Sequence, residues 1–352
     1  MVHERPEASR QLPSVSIIVP CRNERPYIAR CLESILASRF PVDRLEVLVV
    51  DGQSDDGTRD VVRGLADRFP HVRLIDNPRR ITPAALNVGL AQARGETIIR
   101  MDAHATYPPD YVSRLVDWQE RTGADNVGGA WVTLPGADSA EARAIALALA
   151  HPFGVGNAHF RLGTDRPRWV DTVPFGCYRR EVFARIGTFD EALVRNQDDE
   201  FNHRLIRSGG RILLVPDVVS HYYARPTVRK VARMYYQYGL FKPLVSRKVG
   251  RVLTLRQLVP ATFEVALVLL AVLAPWSGAA RLALAGLVSL YGAAVVAVAL
   301  AHVRHGLVPA VWLCLVFPAI HLSYGWGFLR GLSAIVGSST RGVTGAPVEL
   351  TR

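Results

Sequence analysis

Four short apolar runs, each leading into polar residues, dominate the first hundred positions, within "VSIIVPCRNE" at Val15–Glu24, "LEVLVVDGQSDDGT" at Leu45–Thr58, "VRLID" at Val72–Asp76 and "TIIRM" at Thr97–Met101. Continuous apolar runs of this length read as strands buried on both faces. The segments between them, Tyr27–Leu36, Val61–Arg68 and Pro83–Ala93, carry helical spacing. Strands alternating with helices predict a parallel α/β sheet covered on both faces. Sheets of this kind bind ligands beyond the carboxyl ends of their strands. The polar clusters fall there: Asn23 and Glu24, Asp51 to Asp56, and Asp102 to His104. Any one of them is also what an ordinary turn contains, because Asp and Asn favour turns. Three in succession point to a site.

What the clusters lack narrows the ligand. "PCRNERPYIARC", after the first run, contains no glycine, so neither a dinucleotide fingerprint nor a phosphate-cradling P-loop is present. An acid-lined site without a glycine cradle suits a metal–diphosphate ligand, in which the cation neutralises the phosphates. Asp102-Ala103-His104 is the candidate metal motif. Carboxylate and imidazole both bind Mn2+, whereas Mg2+ prefers oxygen, so the histidine tilts the expectation to Mn2+ over Mg2+.

The C-terminal third has another composition. From Gln257 to Leu329 the only formal charges are Glu264, Arg281 and Arg304. The apolar stretches 258–276, 282–301 and 307–329 each approach the ~20 residues that cross a hydrocarbon core, which predicts about three transmembrane helices. Before them, Arg225, Arg229, Lys230, Arg233, Lys242, Arg247, Lys248, Arg251 and Arg256 form a basic belt without an acid. Val228, Val231, Met234, Tyr235, Tyr238 and Leu240 alternate with those charges, an interfacial-helix pattern. A belt of this kind faces the cytoplasm and attracts anionic lipid. It also accounts for much of the net charge of +11, so nucleic acid is not the expected partner. The N-terminus shows no apolar signal core, so the large N-terminal part is expected in the cytoplasm. The four cysteines, Cys21, Cys31, Cys177 and Cys314, form no Cys-x-x-Cys pair, which fits a reducing compartment without structural zinc.

The stretches "SIIVPCRNERPYIARCLESIL", "VLVVDGQSDDGT", "ITPAALNVGLAQARGETIIRMDAHA", "VPFGCYRREVFARIGTFDE" and "NQDDEFNHRLIRSGGRILLVPD" together resemble the inverting GT-A glycosyltransferases of family 2, in the family's order. "RMDAHA", "HPFGVGNAHFR" and the apolar C-terminus are most similar to the succinoglycan-type exopolysaccharide branch. The resemblance implies a GT-A, Rossmann-like α/β domain over 14–226, preceded by a flexible stretch 1–13. A basic interfacial segment 227–256, membrane helices within 257–332 and a tail 333–352 would follow.

By the same resemblance, Pro20, Arg22, Glu24, Asp51, Asp56, Arg80, Asn87 and Asp102 would contact the nucleotide-sugar donor, Asp51 through the base. Gly52 stands where the family pattern has an acid. Asp102 and His104 would hold the metal, with His221, read as following a strand Ile212–Val215, as third ligand. Asp198 is the implied base that takes the acceptor proton, with Asp199 as the neighbour most easily confused with it. Glu200 falls on a later acid of the pattern. Gln197, Arg233 and Lys242 would face the acceptor and its lipid diphosphate.

The segment Thr133–Val173 would also face the acceptor, as an amphipathic helix and a covering loop. Trp131, Trp169 and Phe175 are candidates for stacking on a sugar. The Gln-x-x-Arg-Trp motif of processive relatives is absent, which implies single additions to a polyprenyl-diphosphate-linked saccharide at the inner membrane. A polyprenyl-phosphate glycosyltransferase and a non-catalytic membrane scaffold are the competing expectations.

Overall fold

A computed structural model describes residues 12–250 and 257–336. The expected N-terminal stretch up to residue 11, the last part of the basic segment with Arg251 and Arg256, and the tail from residue 337 lie outside the described residues. The chain runs through β1 (Val15–Cys21), α1 (Ile28–Leu36), β2 (Leu45–Asp51), α2 (Thr58–Ala66), β3 (Val72–Asp76), α3 (Thr82–Gln92) and β4 (Thr97–Arg100). Then follow β5 (Ala105–Thr106), α4 (Tyr111–Thr122), β6 (Asn126–Leu134), α5 (Ala140–Leu149), α6 (Pro152–Val155), α7 (His159–Leu162), β7 (Arg168–Trp169), β8 (Cys177–Arg179), α8 (Arg180–Ile186), α9 (Gln197–Arg207) and β9 (Ile212–Tyr223). The last elements are α10 (Val228–Val249), α11 (Val259–Leu273), α12 (Gly278–Ala301) and α13 (Leu307–Val336).

Two compact units result. Among the described residues the first comprises 12–132 and 158–223, and the second 133–157, 224–250 and 257–336. The expected domain over 14–226 therefore gives up the stretch 133–157 to the C-terminal helices.

In the first unit one sheet runs in the order β3-β2-β1-β4-β8-β6-β9-β5, with β7 also on β9. The first four strands are parallel, as the alternation predicts, with Cys21 level with Asp51 and Asp51 level with Asp76. Beyond β4 the sheet turns antiparallel: β8 pairs with β4 and β6, and β5 and β7 pair with β9. The sheet is thus mixed, parallel from β3 to β4 and antiparallel in the pairs beyond. β9 is longer than the expected Ile212–Val215 and carries His221 inside it. Pro216 falls between the β7 partners Leu213–Leu214 and the β5 partners His221–Tyr222, where a missing N–H costs no ladder bond on that edge.

The core on one face gathers Ile18, Leu48, Val50 and Ile75 from the strands with Leu86 and Leu90 of α3 and Phe201 and Leu205 of α9. Gly89 lets α3 lie close on the sheet, since a Cβ there would stand 2.6 Å from a methyl of Ile18. Phe189 stacks on Phe201 at 4.4 Å, which seats α9 under the strands and fixes its first turn at the sheet edge.

In the second unit α5 and α10 pack on α13, and α6 touches it as well. Backbones touch where α10 meets α13: a Cβ on Gly239 would stand 2.1 Å from the Tyr324 carbonyl oxygen, and one on Gly327 2.1 Å from that of Tyr236. α10 is therefore a packed helix along one side, with Lys242 and Gln237 buried, while Arg229, Lys230, Arg233, Arg247 and Lys248 stay exposed. Tyr291 hydrogen-bonds His321 Nδ1 at 2.9 Å, and His321 Nε2 donates to the Phe153 carbonyl at 2.8 Å, tying α6 to α13.

Among the described residues two helices are long and apolar enough to cross a membrane, α12 with 24 residues and α13 with 30. α11, the first expected span, has 15 residues. At 1.5 Å per residue that is about 22 Å, short of a core of about 30 Å. All three helices expose large aliphatic side chains, among them Leu269, Leu290 and Leu315, as lipid-facing surfaces do.

Candidate active site

Five non-glycine residues among those described have positive φ: Asn23 (55°), Gln53 (57°), Arg80 (59°), Phe175 (47°) and Asn196 (58°). The first three lie in the loops after β1, β2 and β3, and Asn196 caps α9. Left-handed backbone at residues other than glycine persists where surrounding bonds hold it, and such residues gather at functional edges.

The bonds that hold these loops are on the page. Asn23 N–H donates to Ser54 Oγ at 2.8 Å, and Asp55 N–H returns to Asn23 Oδ1 at 3.1 Å. Asp56 accepts from Arg25 N–H and from the N–H and hydroxyl of Thr58. Burial opposes its charge, but the Thr58 hydroxyl and then the Arg25 and Thr58 amides outweigh that and hold its pKa below the ordinary value. Asp51 is wholly buried and accepts from Ser54 N–H at 3.0 Å and Arg59 Nη1 at 2.8 Å. Arg59 also meets Asp76 at 2.6 Å, so one guanidinium joins the ends of β2 and β3. Arg80 Nε donates to Gln53 at 2.6 Å, and its backbone stands beside Gly52, as does the Arg22 side chain. Pro20 is a buried member of β1.

Beyond β4, Arg100 is the centre of charge. Its Nε and Nη2 donate to the two Asp102 oxygens at 3.0 and 3.3 Å, and its Nη1 lies 3.8 Å from Asp198 Oδ2. Burial opposes the Arg100 charge, but Asp102 and then Asp198 overcome it and hold its pKa above the ordinary value. Asp198 stands in the first turn of α9, where the helix dipole favours an acid. Asp199 follows it, donating its N–H to Asp198 Oδ1 at 3.0 Å. Gln197 is buried, and Glu200 forms a fork with Arg204 at 2.9 and 2.8 Å, which makes it a structural partner inside α9.

His104 is buried and its Nδ1 meets Glu24 Oε1 at 3.0 Å. Nδ1–H donates to the carboxylate, which fixes the tautomer, as a carboxylate behind a metal-binding imidazole does. Glu24 itself is 2 % exposed, so the structure brings it to His104 across the β1 and β4 loops rather than to the surface. Asp102 and His104 carry the donor atoms, a carboxylate oxygen and an imidazole nitrogen, that would suit a divalent ion.

A third protein ligand is not gathered: no three His, Cys, Asp or Glu side chains come together as a metal cluster among the described residues. His221 pairs with Thr106, and strand alternation turns it away from the face on which Tyr222 meets His104. Asn87 is also spent elsewhere: its amide donates to the Phe189 carbonyl at 2.9 Å and Glu191 at 2.8 Å and accepts from Phe189 N–H, so it anchors the loop before α9. Lys242 and Arg233 belong to α10 of the second unit, one buried and one exposed. Trp169 lies half exposed under Arg211, and Phe175 is buried against Trp131 and Tyr107.

Arg100 was not singled out by the sequence reading, although a signal existed. Residues two apart on a strand share a face, and Arg100 stands two before Asp102.

The mixed α/β sheet, parallel from β3 to β4, with an Asp-x-His motif after β4 and an acid at the start of α9, is GT-A-like. The chain matches the family model described as glycosyl transferase family 2 over residues 16–187. It is 35% identical over 257 residues to the succinoglycan biosynthesis protein ExoA of Rhizobium meliloti, covering 72% of this chain and 77% of the relative. It is 30% identical to a dolichyl N-acetyl-alpha-D-glucosaminyl phosphate 3-beta-D-2,3-diacetamido-2,3-dideoxy-beta-D-glucuronosyltransferase of Methanococcus voltae, covering 66% of this chain and 74% of that one. Among solved structures, a mannosyltransferase of Pyrobaculum calidifontis in complex with GDP-Man and Mn2+ shares the fold, with a TM-score of 0.56, 24% identity, and coverage of 89% of this chain and 87% of the other. The protein belongs to glycosyltransferase family 2 and is a glycosyltransferase.

Proposed function

We propose that the protein transfers a hexose from a nucleotide sugar, UDP-linked by its resemblance to the succinoglycan branch, to a lipid-linked saccharide at the cytoplasmic face of the membrane. Transfer is non-processive, inverts the anomeric centre and serves the assembly of an exopolysaccharide or another surface glycan. The observation that carries this reading is the Arg100 bridge between Asp102 and Asp198, which couples a diphosphate-side acid to an acid fit to be the base.

In this reading the loops after β1, β2 and β3 receive the nucleotide, with Arg22, Asp56 and Arg80 at their rim and Asp51 as the buried post that shapes them. Asp102 and His104 hold Mn2+, or Mg2+, and Glu24 fixes the His104 tautomer. The ion, when bound, neutralises the diphosphate that leaves. Asp198 accepts the proton of the attacking acceptor hydroxyl, a single in-line displacement needing one base. Arg100 balances both acids while the site is without substrate and turns to the diphosphate charge when the donor arrives. α12 and α13 anchor the chain, and the exposed basic side chains of α10 meet anionic lipid on the cytoplasmic side.

The test is transfer from radiolabelled nucleotide sugars into the lipid fraction by the full chain in membranes, with and without Mn2+. The expected product releases a labelled oligosaccharide on mild acid, its new glycosidic bond intact, whereas label released as a free monosaccharide marks a sugar phosphate. Such a sugar phosphate would replace this acceptor with a polyprenyl monophosphate. Asp198→Asn is expected to lower turnover at least 100-fold with nucleotide affinity unchanged. Full activity in that variant would remove Asp198 as the base.

A further inference from the structure

Beside His104 lies a group of side chains that the reading above does not use. Tyr222 meets the His104 ring edge to face at 5.2 Å, and Trp131 stacks on Tyr222 at 4.5 Å with planes only 15° apart. Phe160 closes on Trp131 edge-on at 5.0 Å. The Arg161 guanidinium lies 4.5 Å from the centre of the Trp131 ring and 5.8 Å from that of Tyr222. Both Trp131 Nε1 and Arg161 Nη1 are buried, and neither has a hydrogen-bond partner among the described residues.

Buried N–H donors are almost always satisfied, and a guanidinium is more costly to leave bare than an amide. Two of them side by side, on a half-buried tryptophan and a half-buried arginine, mark a place that gains from an incoming acceptor atom. The chemistry of that partner follows from the donors. Indole and guanidinium N–H groups only donate, and one carries a positive charge, so the ligand brings negatively charged oxygens. The planar guanidinium fork matches phosphate oxygens, and stacking on Trp131 holds it in place before the ligand comes.

Two diphosphates are available to a sugar transferase of this kind, that of the nucleotide and that of a lipid-linked acceptor. Position decides between them. Tyr222 touches His104 of the donor's metal site, with Trp131 and then Arg161 stacked on from it, and in the sheet β4 and β8 separate β6 and β9 from β1, β2 and β3, whose loops receive the nucleotide. We infer that Arg161 and Trp131 bind the diphosphate of the lipid-linked acceptor, with the Trp131–Tyr222 stack as the wall along which the acceptor reaches Asp198. This rests on the proposed acceptor class and adds the residues that select it.

The experiment uses the full chain in phosphatidylcholine nanodiscs, where no anionic lipid competes. Binding of farnesyl diphosphate, and separately of UDP and GDP, is titrated for the wild type, Arg161→Gln, Arg161→Lys and Trp131→Phe. Arg161→Gln is expected to weaken farnesyl diphosphate at least tenfold and to leave the nucleotide affinity within twofold. Arg161→Lys is expected to restore part of the loss, since it keeps the charge without the fork. Trp131→Phe keeps an aromatic ring and removes only the N–H, so about a threefold loss is expected with an unchanged unfolding midpoint.

Equal weakening of nucleotide and farnesyl diphosphate would hand this wall to the donor and overturn the inference. So would farnesyl diphosphate binding that is absent in the wild type or indifferent to Arg161. A wild type that binds neither UDP nor GDP, yet binds farnesyl diphosphate through Arg161, would overturn the donor reading and keep this one.

Discussion

Replacing Arg100 by glutamine removes a cation that Asp102 and Asp198 share. The Arg100 side chain is 15% exposed and that of Asp102 18%, so this pair is largely buried. Breaking such a pair from one side costs about 3–5 kcal/mol, and the residual exposure of both groups puts the expected loss at the low end, about 3 kcal/mol. The Asp198 side chain is 39% exposed and lies farther away, so solvent screening leaves its share below about 1 kcal/mol. For a unit of this size 3 kcal/mol lowers the unfolding midpoint by about 6–12 °C.

Asp102 is then short of a cation, which a metal ion can supply. Mn2+ is therefore expected to raise the midpoint of Arg100→Gln more than that of the wild type. Thermal unfolding of the full chain in detergent, followed by near-UV circular dichroism with and without Mn2+, reads both effects. A variant that melts within 1 °C of the wild type and responds equally to Mn2+ would show that Arg100 does not balance these acids.

Three further outcomes follow from other parts of the molecule. Gly327→Ala places a methyl 2.1 Å from the Tyr236 carbonyl oxygen, so α10 and α13 must part by about 1 Å at a cost of about 1–3 kcal/mol. Calorimetry in detergent would detect that loss, and an unchanged transition would mean the two helices do not touch there. His151 accepts the Phe153 N–H at the start of α6, and burial and then the neighbouring His302 hold its pKa below the ordinary histidine value. Because the folded chain protonates less readily than the unfolded one, stability is full above the ordinary value near 6.5 and falls as pH drops from there towards the lowered folded value. His151→Asn keeps a capping oxygen without titrating, so its midpoint is expected to change less between pH 7.5 and 5.5 than that of the wild type. Asp56→Asn keeps one acceptor oxygen but loses the charge that draws in Arg25 and Thr58, so the loops after β1 and β2 are expected to exchange amide hydrogens faster and nucleotide to bind several-fold more weakly.

The first four strands were legible because each is a buried apolar run; Val72–Asp76 is seen as expected, Thr97–Arg100 ends one residue short of the expected Met101, and β2 occupies the apolar start of the Leu45–Thr58 stretch. The elements past β4 were less so. β5, β7 and β8 have two or three residues each, too few for any periodicity to register. The length of β9 was hidden by Pro216, which reads as a stop unless the pairing on that edge is known. Asp102 and His104 follow β4 as their run predicts, while Asp198, implied by the resemblance and by no apolar run, lies 3.8 Å from Arg100 at the end of β4. Their partners were not visible, since Glu24 and His104 lie 80 positions apart and only the fold brings them within 3.0 Å. Burial, likewise, is a property of the tertiary fold: the same spacing that marks Lys242 as one of a basic belt cannot tell that its side of α10 is covered.

The second unit is assembled from two distant stretches, 133–157 and the C-terminal helices, so the chain passes between the units at 132–133, 157–158 and 223–224. That has a consequence for biosynthesis. α5 and α6 leave the ribosome long before α13, the helix on which they pack. At about 5–20 residues per second the wait is on the order of ten seconds or more, during which the apolar side of α5 has no cover. Completion of this unit is therefore a late event of translation, coupled to insertion of the last helix. A fragment cut after β9 would carry α5 as an orphan and invite aggregation. For the same reason, exchange of anchors between relatives would have to transplant residues 133–157 together with everything after 223.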